Sequence, residues 1–282
     1  LNGKKATFID FSFRFPNVIF SPESLAAIKE GADQRRQLVD DLLTSFNPKN
    51  SDLIADFRKA LKTRNKVLKN HLGGLTDKFE TIRVMESLNP LFLKLAAELT
   101  WQRLEALRAI LDDLNHSMKS ISQKLNVDIS VEYVVSGENA MKMSSSDIEK
   151  SLQKRVLELS DAELASGSSL VGPQKHDIVF LYDQNDSRFY CSQGQQRAFI
   201  LSFKMAQIVY HRRAHGTYPI LMLDDVLSEL DSGKRDSLIR FLGDINTQIF
   251  ITTTDFNLPD SMRSEDCAVI KVHEGQIEGA RT

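Results

Sequence analysis

The chain has 282 residues, enough for about two domains, and its 41% hydrophobic and 26% charged residues are typical of a globular protein. Its formal net charge of -2 means that any binding to nucleic acid has to come from local basic patches. No apolar run approaches the roughly 18 residues that a membrane-spanning helix needs. The two distant cysteines, Cys191 and Cys267, lack metal-ligand spacing and indicate reduced thiols in a cytoplasmic protein.

The first fifty residues predict strands followed by helices. Aromatic residues alternate with polar ones at 11–15, and VIF at 18–20 continues the strand pattern. Ser21-Pro22 then has the N-cap and first-turn proline of a helix, and a second helix is predicted over QRRQLVDDLL after Gly31. The start, LNGKKATF, has neither an initiator Met nor a signal-peptide pattern, so we expect it to be the middle of a polypeptide.

Residues 51–70 predict an amphipathic helix with a basic face. Ile54, Phe57, Leu61 and Leu68 form its apolar face. The basic face carries Arg58, Lys59, Lys62, Lys66 and Lys69, with no acid between the first and the last. Two interpretations remain open: a solvated helix face, which the pattern alone favours, and a stripe that binds phosphates.

A second long helix is predicted to begin at Asn89-Pro90, with the asparagine as N-cap. It carries a coiled-coil-like seam with alternating spacings of three and four: Leu104, Leu107, Leu111, Leu114, Met118, Ile121 and Leu125. This seam is far too short for a long rod and predicts an antiparallel arm or a bundle helix.

The second half of the chain changes to strands alternating with helices. A strand is predicted at 127–135 and a helix at 147–160, followed by a hairpin in which IVFLY and SRFY flank DQND. YPILMLDD (218–225) and QIFITTT (248–254) predict buried strands, and a closing hairpin is predicted around Glu274-Gly275. The pattern predicts a parallel or mixed sheet that helices cover on both faces.

Two polar clusters stand where such a sheet binds ligands. Asp224 and Asp225, the aspartate pair, end a buried strand and could hold Mg²⁺ and orient a water, or could simply cap a helix. The signature segment (192–197, SQGQQR) opens a helix, whose free N–H groups favour phosphate, and Gly194 allows close approach. His211 and His215 have a metal-compatible spacing, but at a helix end they better suit the helix dipole.

The segments SQGQQR, LMLDDVLSELD and IFITTTD, in this order, resemble the signature motif, the Walker B strand with its D-loop, and the next strand of the RecF family. VIFSPESLAAIKEGADQRRQLVDDLL, TRNKVLK and VGPQKHD also resemble family segments, the last with departures at 174–177. The resemblance implies an α/β fold: an ABC/SMC-type ATPase head, a mixed sheet with flanking helices, interrupted by a helical lobe with a short coiled-coil-like arm. We expect the head at 1–46 and 166–282 and the lobe at 47–165.

By position, the resemblance also implies residue roles. Asp224 supports Mg²⁺, and Asp225 replaces the glutamate that polarises the attacking water, which fits slow turnover. Thr254 falls roughly at the switch position that reads the γ-phosphate. The D-loop contributes Ser228 and Asp231. The nucleotide contacts, made to ATP on the other subunit, are Ser192, Gln193, Gly194, Gln195 and Gln196.

The phosphate-cradling motif G-x-x-x-x-G-K-[ST] does not occur in the 282 residues. The RecF family carries it ahead of the position of Leu1, so we expect an amino-terminally truncated chain that hydrolyses no ATP alone. The resemblance implies a slow ATPase in the intact protein.

For the intact protein, the resemblance implies binding of ATP and of duplex or gapped DNA, and ATP-dependent homodimerisation as a clamp. It also implies recombinase loading with recombination-mediator proteins, in repair and the SOS response. The basic helix, with Arg58, Lys59, Lys62 and Lys66, then becomes a DNA-contact candidate. The alternatives are an SMC-like structural clamp and a nucleotide-free interaction module.

Overall fold

The computed structural model describes residues 5, 14–21, 24, 27–122, 126–228, 230–254, 267–274 and 276–281. The helices are α1 Ala32–Phe46, α2 Asn50–Leu72, α3 Lys78–Ser122, α4 Ser145–Glu158, α5 Ser160–Ser166, α6 Ser187–Tyr190, α7 Gln193–His215 and α8 Ser232–Gly243. The strands are β1 Asn17–Phe20, β2 Ile129–Val135, β3 Glu138–Asn139, β4 Asp177–Tyr182, β5 Asn185–Asp186, β6 Ile220–Asp224, β7 Ile249–Thr252, β8 Val269–His273 and β9 Gln276–Arg281. Among these helices, none is long and apolar enough to cross a membrane.

Three sheets organise the strands. A parallel sheet has the order β1-β6-β7, so the strand that ends in the aspartate pair lies at its centre. An antiparallel sheet has the order β3-β2-β4-β5, and β8 pairs with β9 in the predicted closing hairpin. The pairing of β2 with β4 joins the predicted lobe to the predicted head, and the division at 47 and 166 stays a prediction.

The main core forms where α3 packs against α7. Helix α7 is buried along most of its length, with Phe199 and Phe203 fully enclosed and packed on Phe180 of β4. The predicted seam of α3 supplies the opposing side chains, from Leu104 to Ile121, and only Leu125 lies outside the described residues. The seam therefore builds the core of this chain, against its own helix α7.

The prediction that a helix begins at Asn89-Pro90 is wrong, because α3 begins at Lys78 and runs through Pro90 for 45 residues. An internal proline removes a backbone hydrogen bond and typically costs about 3 kcal/mol. Tertiary contacts on both sides stabilise this position. The Asn89 side chain accepts a hydrogen bond from Arg64 Nε at 3.2 Å, and Phe92 is buried beneath the Arg64 guanidinium.

The second strand of the DQND hairpin was also predicted wrongly. Asp183 and Gln184 form the turn with positive φ angles of 48° and 65°, but β5 is only Asn185–Asp186. Asp186 then accepts a hydrogen bond from Arg188 N–H and caps the short helix α6, so SRFY is helical. The capping side chain ends the strand after two residues.

The parallel sheet is covered on one face only in the described structure, contrary to the prediction. Ile19, Met222 and Phe250 are register partners in adjacent strands, and they are 49%, 39% and 50% exposed. Strand β7, predicted as buried, alternates half-buried and exposed residues. Of the strand predicted at 11–15, residues 11–13 lie outside the described residues, and Arg14 and Phe15 are not in a strand, so that part of the prediction is wrong. The start of the helix at Pro22-Glu23 also lies outside the described residues.

Buried charges tie α1 and α3 to the antiparallel sheet. Arg103 forms two hydrogen bonds with Asp40, at 2.8 and 3.0 Å, and both side chains are buried. Arg35 contacts both carboxylate oxygens of Asp177 at the start of β4. His176, next to it, is fully enclosed, and burial together with Arg103 and Arg36 lowers its pKa to about 3.

Candidate functional site

The aspartate pair lies at the carboxyl end of the central strand, as predicted. Asp224 is the register partner of Thr252 on β7, and the Thr252 hydroxyl donates to Asp224 Oδ1 at 2.5 Å. The same hydroxyl accepts the N–H of Asp225 at 3.1 Å. Thr252 therefore links both aspartates and fixes the orientation of the first carboxylate.

Asp225 has an unusual backbone and an unused oxygen. Its φ is 49°, in the left-handed region that non-glycine residues rarely adopt, and its N–H also donates to the Thr252 carbonyl at 3.1 Å. In the described part of the chain, the buried Oδ1 atom of Asp225 has no hydrogen-bond partner. A buried, unpaired carboxylate oxygen is costly and indicates a group that awaits a ligand, a cation or a water.

These residues fit a magnesium ion. Mg²⁺ is usually bound by one or two carboxylates together with substrate phosphates and waters, rather than by a full protein cage. The site offers the exposed Asp224 carboxylate and the orphan oxygen of Asp225, and the described residues include no cluster of three or more His, Cys, Asp or Glu. The family resemblance assigns Mg²⁺ to Asp224 and the attacking water to Asp225, and this partial site is compatible with both roles.

The predicted D-loop continues from the aspartate pair. The Ser228 hydroxyl donates to the Asp225 carbonyl at 2.7 Å. Asp231 caps α8 by accepting the N–H of Lys234 at 3.0 Å, and it also pairs with the Lys234 ammonium group. These hydrogen bonds lower the pKa of Asp231, so its carboxylate stays charged at neutral pH.

The signature segment forms the capped N-terminus of α7. Ser192 Oγ accepts the N–H of Gln195 at 3.3 Å, and Gln195 Oε1 accepts the N–H of Ser192 at 2.8 Å. This reciprocal capping box leaves the N–H groups of Gln193 and Gly194 without a partner in the described structure. Two N–H donors at a helix N-terminus suit an anionic ligand.

The first turn of α7 lies beside α8. A Cβ atom added to Gly194 would sit 3.4 Å from Lys234 Nζ. Lys234 thus connects the signature segment to Asp231 of the D-loop. Gln196 has a different position: it is buried, and its amide donates to the Ser187 carbonyl at 3.0 Å, so it fastens α6 to α7.

The remaining predicted site residues do not contribute to the hydrogen bonds that hold the aspartate pair or the signature segment. Thr254 is exposed and makes no hydrogen bond to a described residue, whereas Thr252, which sequence reasoning missed, holds the aspartate pair. The DNA-contact candidates lie on the exposed face of α2. His211 and His215 bind the carbonyls of Thr217 and Phe46 at 2.9 and 3.0 Å, so they stabilise the end of α7.

The chain is similar to curated proteins named DNA replication and repair protein RecF. It is 32% identical to that of Halothermothrix orenii, over 92% of this chain and 68% of the relative, and 32% identical to that of Alkaliphilus oremlandii, over 93% and 69%. The relative from Heliobacterium modesticaldum is 29% identical over 98% of this chain and 72% of its own length. No family model matches the chain.

Solved structures of RecF share the fold. The recombination mediator protein RecF of the RecFOR pathway superimposes in its RecF-ATP form with a TM-score of 0.80, at 24% identity, over 95% of this chain and 68% of the other. The RecF-ATPrS form gives 0.78, at 24% identity, over 94% and 67%. The predicted ATPase-head fold is thereby confirmed, and the extent and identity of the curated matches show that this chain belongs to the RecF family.

Proposed function

We propose that this chain is part of an ATP-dependent DNA replication and repair protein whose two copies pair head to tail, each completing the other's nucleotide site. One observation supports the proposal: the aspartate pair and the capped N-terminus of α7, called the α7 mouth from here on, are both present, while the phosphate-cradling motif does not occur in the 282 residues. The N–H groups of Gln193 and Gly194 would meet the γ-phosphate of ATP held by the other copy.

The residues at the sheet edge would prepare the hydrolytic step. Mg²⁺ at Asp224 would neutralise charge on the transferred phosphoryl group. Thr252 holds the Asp224 carboxylate in place, and the unpaired Oδ1 of Asp225 is free to accept a hydrogen bond from a water. An aspartate reaches less far than a glutamate, which supports slow turnover and a clamp that stays closed for long times.

The biological role follows the relatives. Proteins named DNA replication and repair protein RecF and the recombination mediator RecF of the RecFOR pathway support a role as a recombination mediator. We propose that ATP closes the dimer as a clamp on gapped DNA and promotes recombinase loading together with mediator proteins. An SMC-like structural clamp is less well supported, because the seam of α3 is buried against α7 in the same chain.

A matched pair of substitutions at Gly194 tests the composite site. In the protein expressed from its complete gene, Gly194→Asp places a negative charge at the α7 mouth, where a first-turn acid is compatible with the helix. Gly194→Asn has almost the same shape without the charge. Analytical ultracentrifugation should show ATP-dependent dimers for the parent. Both variants lose the close approach that glycine allows, and only Gly194→Asp adds a charge, so its association should be at least tenfold weaker than that of Gly194→Asn.

Two results would contradict the proposal. Equal dimerisation of both variants would mean that no phosphate meets the α7 mouth. ATP hydrolysis by the purified 282-residue chain would mean that the site works without the phosphate-cradling motif. The nucleotide-free module would instead require that neither the parent nor a variant responds to ATP.

A further inference from the structure

Helix α2 carries a groove whose lining is basic and lacks carboxylates. This open surface depression has a volume of about 520 Å³, and all of its lining residues belong to α2: Arg58, Leu61, Lys62, Asn65, Lys66, Lys69 and Asn70. We call it the α2 groove. No acidic residue occurs between Asp56 and Asp77, so this stretch of the chain has only positive charges. A mixed-sign face is usual for a solvated helix, and this face is not mixed.

The cations of the α2 groove are not neutralised within the described structure. Lys62, Lys66 and Lys69 are exposed and form no ion pair with a described residue. Arg58 is 64% exposed and lies 4.0 Å from Asp40, whose carboxylate is already bound by Arg103. The groove therefore holds a local positive field on a chain whose net charge is -2.

The floor of the groove is rigid because residues between the lysines anchor α2. Arg64 and Glu163, each 1% exposed, form two hydrogen bonds at 2.9 and 2.7 Å, and Arg64 also donates to Ser169 Oγ at 2.8 Å. Asn65, which also lines the groove, accepts the N–H of Ser169 on its Oδ1 atom at 2.7 Å. The backbone from which the flanking lysines project is therefore held in place before a ligand binds, which lowers the entropic cost of binding.

The spacing fits an extended polyanion better than a single phosphate. Arg58, Lys62 and Lys66 are four residues apart, which corresponds to steps of about 6 Å along a helix. A strand of duplex DNA carries one phosphate per about 3.4 Å of axis, so a row of cations can follow one strand. Three of the four charged side chains in the groove are lysines, and contacts between basic side chains and phosphates position a protein on a duplex without carrying sequence information.

We infer that the α2 groove binds the sugar-phosphate backbone of duplex DNA without reading its sequence, with Lys62 and Lys66 as the central contacts. This inference rests on the proposed function, which supplies DNA as the partner. It adds where the duplex lies and which part of it is recognised.

A charge-matched pair of double variants tests the inference in the protein expressed from its complete gene, with ATP and Mg²⁺. Lys62→Glu/Lys66→Glu changes the α2 groove, and Lys119→Glu/Lys150→Glu makes the same change in net charge at exposed lysines on α3 and α4. Fluorescence anisotropy with two duplexes of unrelated sequence is measured over a series of salt concentrations. We expect the groove variant to bind both duplexes at least tenfold more weakly and the control variant within about twofold of the parent.

The salt dependence gives a second readout. Loss of two phosphate contacts should reduce the slope of log K against log salt by about 1.8, because each contact contributes about 0.9. The control should keep the parental slope, and circular dichroism should show that both variants are folded.

The outcomes separate the two proposals. Duplex binding by the parent with equal losses in both variants would overturn the groove inference and leave the proposed function standing. No duplex binding by the parent would overturn the proposed function and the inference with it. A groove variant that loses binding to vesicles of anionic lipid, but not to DNA, would show that the groove recognises a membrane surface and would also overturn the inference.

Discussion

The charged residues under α2 and those at the end of β6 are organised in opposite ways. The Arg64–Glu163 pair is buried, bidentate and further bound by Ser169 and the Leu170 N–H, so little hydrogen-bonding capacity is left. The aspartate pair is only partly enclosed. The backbone of Asp225 has a rare positive φ angle, and its Oδ1 atom is unpaired. The comparison teaches that satisfied charges hold the scaffold, whereas unsatisfied ones mark the place for a ligand.

The largest expected effect is a loss of stability when the satisfied pair, Arg64 and Glu163, is broken. Arg64→Met would leave Glu163 buried without its cation, and removing one partner of a buried pair typically costs about 3–5 kcal/mol. Urea unfolding of the chain should show this loss, while Lys62→Met, exposed on the same helix, should change stability by less than about 0.5 kcal/mol. A loss below about 1 kcal/mol for Arg64→Met would show that the pair does not hold α2.

A pH series tests another buried titratable group, the imidazole ring of His176. The folded pKa of His176 is about 3, well below an unfolded value of about 6.5, because the site favours the neutral ring. Below pH 6.5 the unfolded chain therefore binds a proton at His176 that the folded chain does not bind. The free energy of unfolding falls as the pH drops below 6.5. We expect a loss of about 2 kcal/mol by pH 5 from this residue.

The matched variant is His176→Gln, which cannot titrate in this range. Urea unfolding at pH 7 and pH 5 should show a difference for the parent that is smaller by about 2 kcal/mol in the variant. An identical pH dependence in both would show that the ring becomes protonated in the folded chain.

The smallest expected effect on stability, and the sharpest on the site, comes from Thr252. Thr252→Val removes the hydroxyl that orients Asp224, and outer-shell groups of this kind typically contribute about 10- to 100-fold to metal affinity or activity. In the protein expressed from its complete gene, we expect the Mg²⁺ concentration for half-maximal ATP hydrolysis to rise at least tenfold. Thr252→Ser, which keeps the hydroxyl, should have the parental value. If the parent and both variants need the same Mg²⁺ concentration, Thr252 has only a structural role at the edge of the sheet.

Local signals allowed most elements to be predicted, including the position of the aspartate pair. The α7 helix begins at a Ser-to-Gln capping box and ends at Gly216, which has the left-handed φ of 78° that glycine adopts freely, so both ends are written in the sequence. The apolar run before Asp224 predicted a buried strand, because strands of parallel sheets read as apolar runs, and the strand is present with its acids at the carboxyl end. The α2 helix and the apolar residues of its buried face were equally local features, although Arg64 is buried on the same face.

The errors concern contacts between distant residues. A proline after an asparagine is a common helix start, and only Arg64 and Phe92 explain why α3 continues through Pro90. The role of Thr252 in holding the aspartate pair was missed because it depends on the register between β6 and β7, which no local pattern fixes, and the switch role of Thr254 stays a prediction. The exposed row of Ile19, Met222 and Phe250 could not be predicted either, since an apolar strand does not reveal which face is covered.

The reciprocal cap between Ser192 and Gln195 has a consequence for how mutations at the start of α7 are interpreted. Replacing Ser192 by Ala removes a helix cap, which typically costs about 1 kcal/mol, as well as a hydroxyl at the mouth. A loss of ligand binding in that variant would thus mix a frayed helix with a missing contact. Ser192→Asp keeps the cap and repels a phosphate, so it separates local folding from recognition at this position.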